Sequence, residues 1–184
     1  MPEILLTCFG PFRKRAKNGS QTLVHRIVEE YGDHHLHALD LDVVWGEVER
    51  VAVPFIEKSR PDAIFSFGEG PPDVIRIERC GKNEQTGSDE HGEERRSVPI
   101  SKGGPEVQPG RFPAPEPETE IGGYPVVDSD DCGAFLCNNM LYRAALSPAK
   151  HAVFIHLPPQ NEEPDDTYAD RLLPLFPYLL DRLT

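Results

Sequence analysis

Long apolar runs are missing from this sequence. No stretch of about 18 consecutive apolar residues occurs, so no membrane-spanning helix is expected. Cations are scarce as well: 19 Lys and Arg face 31 Asp and Glu, a net charge of -12. Nucleic acid and anionic membrane surfaces both need a basic face, so neither is expected as a partner. The opening residues Met1-Pro2-Glu3-Ile4-Leu5-Leu6 lack the basic region and long apolar core of a secretory signal, which makes the cytoplasm the default location. Cysteine is sparse. The four thiols, Cys8, Cys80, Cys132 and Cys137, are too few for a disulfide framework at this length and do not form the paired C-x-x-C spacing of a zinc site. Cys8 reads as a small buried hydrophobe. Cys132 and Cys137 lie close enough to bridge, but a helix start expected between them opposes it. His34-His35-Leu36-His37 invites a metal reading, yet no second ligand group accompanies it, and it reads as an exposed loop or strand start. No internal repeat is present.

What remains is enough for one well-buried α/β domain over residues 1–184, and rather short for two. Residues 3–8 form an apolar run, as a buried parallel strand does. They lead into Phe9-Gly10-Pro11-Phe12, a turn that carries two aromatics at the edge where α/β sheets bind ligands. Leu23, Val24, Ile27 and Val28 predict a helix over 22–31. A strand over 38–44, a helix over 47–59 kinked by Pro54, and strands over 63–67 and 74–79 follow. Residues 82–104 are polar and glycine-punctuated. Residues 105–125 hold six prolines, which exclude a helix and suggest a loop or extended lid. A strand over 124–127 follows, and the leucines between 167 and 183 predict one long helix packed on the sheet.

The chemistry concentrates at the run from Asp131 to Tyr142, followed by Ala152-Val153-Phe154-Ile155-His156-Leu157-Pro158. These residues predict a loop, a helix beginning near Cys137, a turn at Ser147-Pro148 and a buried strand ending at His156. Read as the second half of a crossover unit, they bring the helix N-terminus and the strand's carboxyl end to one sheet edge, so Cys137 and His156 meet. The helix N-terminus favours a thiolate there, and a Cys–His pair is a nucleophile with its base. Glu78, near the end of its strand, is either a salt-bridge partner or the group that holds the imidazole.

The same residues resemble the pyroglutamyl peptidase I family of cysteine peptidases. The likeness runs through Leu6-Thr7-Cys8-Phe9-Gly10-Pro11-Phe12, Val43-Val44-Trp45-Gly46, Pro61-Asp62, Ile75-Arg76-Ile77-Glu78-Arg79, Gly103-Gly104-Pro105, Gly133-Ala134-Phe135-Leu136-Cys137-Asn138 with Tyr142, and Phe154-Ile155-His156-Leu157-Pro158. It implies a three-layer α/β/α sandwich around a central mixed, mostly parallel sheet, of the phosphorylase/hydrolase-like type. It implies a triad of Cys137, His156 and Glu78, with Phe9 and Phe12 sandwiching a flat lactam ring. Asn18, and Gly68 with Glu69 after it, would address the ring's polar edge. The implied substrate is a peptide or small amide bearing a pyroglutamyl group or a related lactam. A homo-oligomer is implied (tetramers are common in the family), and no cofactor or metal.

The departures from the family pattern lie around the same site. Thr86 stands where an arginine is usual, Glu69 where a Gln is common, and Ser129-Asp130-Asp131-Cys132-Gly133 where the family has Ser-Asn-Thr-Ala-Gly. Asp130, Asp131 and Glu69 would disfavour a thiolate and make the pocket more negative, unless the two aspartates cap the next helix. A binding or regulatory protein that kept the fold without turnover is therefore a second reading. A nucleoside-phosphorylase-like enzyme is a third; it needs a Gly-rich anion loop that Phe9-Gly10-Pro11-Phe12 does not provide.

Overall fold

The computed structural model describes residues 2–32 and 35–183. β1 (Ile4–Phe9) is buried along its whole length. Ile4, Leu6 and Cys8 join one apolar cluster and Leu5 and Phe9 another, as the period-two alternation of a strand covered on both faces requires. α1 (Gly19–Tyr31) starts earlier than its apolar stripe predicts, because Asn18 accepts a hydrogen bond from Ser20 N at 3.0 Å and caps the helix there. β2 (Leu36–Leu41) begins and ends before the predicted strand. A wide π-type turn over Val48–Ala52 then runs into α2 (Val53–Ser59). Pro54 falls in the first turn of α2, where a missing N–H does no harm, so the expected kink is resolved as a change of helix type.

β3 (Ala63–Glu69) and β4 (Ile75–Glu78) come next. The polar region after them is not all loop: it holds β5 (Cys80–Lys82) and a hairpin of β6 (Gln85–Ser88) and β7 (Glu94–Val98). Their short, largely exposed strands carry no apolar alternation for a sequence reading to detect. β8 (Val107–Pro109), β9 (Glu120–Ile121), β10 (Tyr124–Ser129), α3 (Leu136–Leu146) and β11 (His151–Leu157) complete the central part. The predicted C-terminal helix is two helices, α4 (Asp165–Leu172) and α5 (Leu175–Leu180), broken where Pro174 cannot donate its backbone hydrogen bond.

The main sheet has the order β2-β1-β3-β11-β4-β10-β9. Neighbours from β2 to β11 are parallel, β4 is antiparallel to β11, β10 is parallel to β4, and β9 is antiparallel to β10. α1, α4 and α5 pack on one face through Leu23, Ile27, Tyr168, Leu172 and Phe176. α2 and α3 cover the other through Ile56, Met140, Leu141 and Ala144. The result is a mixed, mostly parallel sheet between two helical layers. No described helix is long and apolar enough to cross a membrane.

One expectation fails here, and one open choice narrows. The α3–β11 unit is not half of a parallel crossover, since β10 and β11 run in opposite directions. The proline-rich segment, read as a loop or an extended lid, is a pinned loop carrying the short β8 and β9. β8 pairs with β5, Phe112 is buried against Phe65, and the Arg111 guanidinium donates to the carbonyls of Ala145, Ser147 and Ala149 at the C-terminal end of α3. It is fastened to the end of α3 remote from Cys137. In the histidine cluster, His35 and His37 both bond the Glu3 carboxylate, and His34 lies outside the described residues.

Candidate active site

Three neighbouring strands and one helix start build the site. In register, His156 of β11 sits beside Gly68 of β3 on one side and Arg76 of β4 on the other. Phe154, one step back on the same face, sits opposite Glu78. Glu78 is thus a diagonal neighbour of His156 on the face covered by α3. Because β4 runs against β11, its last residue points back under the sheet edge, and Glu78 is only 1% exposed. His156 Nδ1 lies 2.7 Å from Glu78 Oε1, and the Cys137 sulfur lies against Gly68, the register neighbour of His156. Burial pulls the His156 pKa down, but the charge and hydrogen bonds of Cys137 and Glu78 outweigh it and raise the group from 6.5 to about 9.

Cys137 is the second residue of α3, in the turn whose backbone N–H groups have no partner within the helix. It reaches the edge despite the reversed topology because α3 itself runs antiparallel to β11. Gly68 makes room for it: a Cβ there would stand 3.1 Å from the Cys137 sulfur and 2.8 Å from the Phe154 ring. A Cβ at Gly70 would likewise meet His156 at 2.7 Å. The next residue, Asn138, is fully buried. Its side chain accepts from Lys82 N and donates to the carbonyls of Lys82 and Glu84, which pins the first turn of α3.

A cleft of about 480 Å³ opens over Cys137, and Phe9, Phe12, Asn18, Gly68 and Glu69 all line it. Sequence reasoning therefore named residues that the structure does bring together. The details differ. Asn18 has its side-chain oxygen committed to Ser20 and one amide hydrogen to Gly10 O, so it shapes the aromatic turn as well as capping α1. Phe9 is 4% exposed and packs toward Phe154, with ring centres 6.4 Å apart. Phe12 instead pairs with Phe135, at 5.5 Å. Phe135 is supported edge-on by Trp45 at 4.9 Å. Phe135 is a cleft residue that the sequence reading missed, though its place two positions before Cys137 was a usable signal.

The expected acidic pocket is not there. The Glu69 carboxylate accepts from Gly19 N at 2.8 Å and Gln160 N at 3.0 Å and is ion-paired with Arg15. Arg13, Arg15 and Lys17 all line the cleft. Asp131 bonds Lys82 and the Gly133 amide, so it caps a turn rather than α3, whose N-cap residue is Phe135. Arg15 and Gln160 were also missed, since both act on Glu69 across long sequence separations. Thr86, in the place of the family arginine, bonds Glu84 and ties its own amide to Ala134 O.

A second thiol lies close by. One ligand atom each from Glu78, Cys132 and His156 fall within 4.8 Å of one another. Cys132 is buried, and burial pushes its thiol well above the ordinary range, reinforced by Cys137 and Glu78. Cys137, which lines the open cleft, is the better placed nucleophile.

A half-exposed thiol and a buried His–Glu pair at the ligand-binding edge of an α/β sheet define a thiol hydrolase. Comparison with known proteins agrees with this class. A family model described as pyroglutamyl peptidase matches residues 2–169. The pyrrolidone-carboxylate peptidase of Clavibacter michiganensis subsp. michiganensis is 27% identical over 173 residues, 89% of this chain and 81% of that protein. That of Lactobacillus acidophilus is 28% identical over 166 residues, 85% of this chain and 83% of its own. The crystal structure of pyroglutamyl peptidase I from Bacillus amyloliquefaciens superposes with a TM-score of 0.79 at 22% identity, covering 100% of this chain and 95% of that one. The chain belongs to the pyroglutamyl peptidase family of cysteine peptidases.

Proposed function

We propose that the protein removes an N-terminal pyroglutamyl residue, or hydrolyses a closely related lactam-bearing amide, with Cys137, His156 and Glu78 as its catalytic triad. The observation that carries this reading is the His156–Glu78 bond of 2.7 Å, with the Cys137 sulfur beside Gly68, the register neighbour of His156, and lining the cleft. His156 holds the proton shared with Cys137 as the sulfur attacks the scissile carbonyl carbon. The open first turn of α3 offers N–H donors to the oxygen as its charge develops. His156 then returns the proton to the leaving amine, and the C–N bond breaks to leave a thioester. Water, deprotonated by His156, attacks that thioester, releases the acid and restores the thiol. Glu78 orients the ring throughout.

Phe9, Phe12 and Phe135 supply the apolar walls for a flat ring, and the backbone around Gly68 and Glu69 its polar contacts. Four free cysteines suit a reducing cytoplasm. A homo-oligomer is expected from the family resemblance, and light scattering in solution decides it.

The test is release of a fluorogenic amine from its pyroglutamyl amide under reducing conditions with EDTA present. Turnover in the wild type that disappears in Cys137→Ala supports the reading. Turnover that survives in Cys137→Ala, or no turnover together with slow alkylation of Cys137, overturns it.

A further inference from the structure

Cys132 has no part in the proposed reaction, yet it lies against the two residues that support the nucleophile. Its sulfur, a ring nitrogen of His156 and a carboxylate oxygen of Glu78 are mutually within 4.8 Å. Soft thiolate, imidazole and carboxylate together are the donor set of zinc and not of magnesium or calcium. With zinc–sulfur distances of about 2.3 Å and zinc–nitrogen or zinc–oxygen distances of about 2.0–2.2 Å, the three atoms would end about 3.3–3.8 Å apart. The 4.8 Å limit on their present separations exceeds that spacing by about an ångström, while His156 Nδ1 and Glu78 Oε1, at 2.7 Å, would have to open by a similar amount if both bind.

A second observation points to a ligand. Glu78 Oε2 is buried without a hydrogen-bond partner, in a side chain with no exposed surface, although Oε1 holds His156. A carboxylate oxygen desolvated and unpaired in this way is costly unless a proton, water or cation meets it. The other cluster with ligand spacing among the described residues, Cys8, His25 and Asp40, differs. There Cys8 donates to Asp40 at 2.9 Å and His25 bonds both Asp40 oxygens, so both carboxylate oxygens are already engaged.

We propose that Glu78, Cys132 and His156 form a binding site for a thiophilic divalent cation such as zinc, and that occupancy reversibly switches off the peptidase. Cys132 gives its proton to solvent as the metal–sulfur bond forms. Either ring nitrogen that accepts the cation is one the reaction needs. On one side the Glu78 bond is lost; on the other, the base for Cys137 is lost. The His156 side chain keeps 12% of its surface exposed, and the cleft beside it, lined by Cys137, Gly68 and Gly70, is the entry path. The inhibitory half of the proposal rests on the peptidase reading, whereas the binding half does not.

The test has two readouts. Cobalt(II) titrated into the reduced full-length protein is expected to give one equivalent of thiolate-to-metal charge-transfer absorption. This should be lost in Cys132→Ala and Cys132→Ser and kept in Cys8→Ala. Zinc affinity, measured against a chromophoric chelator, should fall at least about a hundredfold in Cys132→Ala. Zinc should inhibit wild-type turnover reversibly, with EDTA restoring it, and should inhibit Cys132→Ala only at correspondingly higher concentration. Charge-transfer absorption that persists in both Cys132 variants, or that is lost in Cys8→Ala, overturns the site. So does the absence of stoichiometric binding. If the protein has no peptidase activity, the cobalt spectrum still decides the site on its own.

Discussion

Gly68 and Cys137 are matched in size: a methyl group on Gly68 would lie 3.1 Å from the Cys137 sulfur and 2.8 Å from Phe154 Cζ. The neighbouring atoms are ring and thiol rather than the loose end of a flexible chain, so relief requires the first turn of α3 to move. Gly68→Ala is expected to lower kcat/KM on a pyroglutamyl amide by about a hundredfold, the cost of misplacing a reacting group by about 1 Å. Overpacking should reduce stability by about 1–3 kcal/mol. Activity assays paired with thermal melts separate the two effects, and an unchanged kcat/KM would refute the assignment of Gly68.

His156 is raised to about 9 by Cys137 and Glu78 against the opposing pull of burial. Below that value the ring is charged and can protonate the leaving amine. Above it the proton is lost, and kcat/KM should fall. Glu78→Gln removes one of the raising causes while burial remains, so this alkaline limb should move to lower pH. Loss of the orienting carboxylate should also cost up to about 10⁴-fold in kcat. A pH–rate profile with EDTA present, compared between wild type and variant, checks both; an alkaline limb that stays in place would contradict the pairing.

Glu69 joins three parts of the chain, through Gly19 N, Gln160 N and Arg15. Glu69→Ala leaves two backbone donors and a partly buried cation without a partner, and should destabilise by about 2–4 kcal/mol. At about 2–4 °C per kcal/mol, the melting temperature falls visibly. Glu69→Gln keeps an acceptor for the two amides and loses only the half-exposed ion pair, so it should cost about 1 kcal/mol or less. Melting curves of the two variants side by side check this order.

Arg111 acts at the opposite end of α3, where its guanidinium meets the carbonyls of Ala145, Ser147 and Ala149. Ala145 is in the last turn, whose carbonyls a helix leaves unpaired, and Ser147 and Ala149 belong to the turn that follows. Arg111→Ala should cost about 2–4 kcal/mol of stability, from hydrogen bonds to a charged donor at about 1.5–3 kcal/mol each, partly replaced by water. At temperatures well below the melting transition kcat should be nearly unchanged, since Cys137 lies at the far end of the helix. A large drop in kcat at low temperature would mean that the proline-rich segment reaches the site after all.

The covered strands, the helix carrying Cys137, the aromatic turn and the Cys–His–Glu set could all be read from the sequence itself. Each is a local pattern: an apolar run, a helical stripe, a turn pair, or a motif in order along the chain. Tertiary structure decided the rest. It reversed β4 and β10 relative to β11, divided the C-terminal helix at Pro174, and laid the proline-rich segment against the far end of α3. It also turned the charge balance of the cleft around by setting Arg15 on Glu69, 54 residues away in sequence, and Lys82 on Asp131. Finally, it put Cys132 beside Glu78 and His156. Strand direction, charge pairing and thiol placement depend on contacts between segments distant along the chain. Composition and periodicity describe only neighbours in sequence, and those contacts come into being only when the sheet assembles.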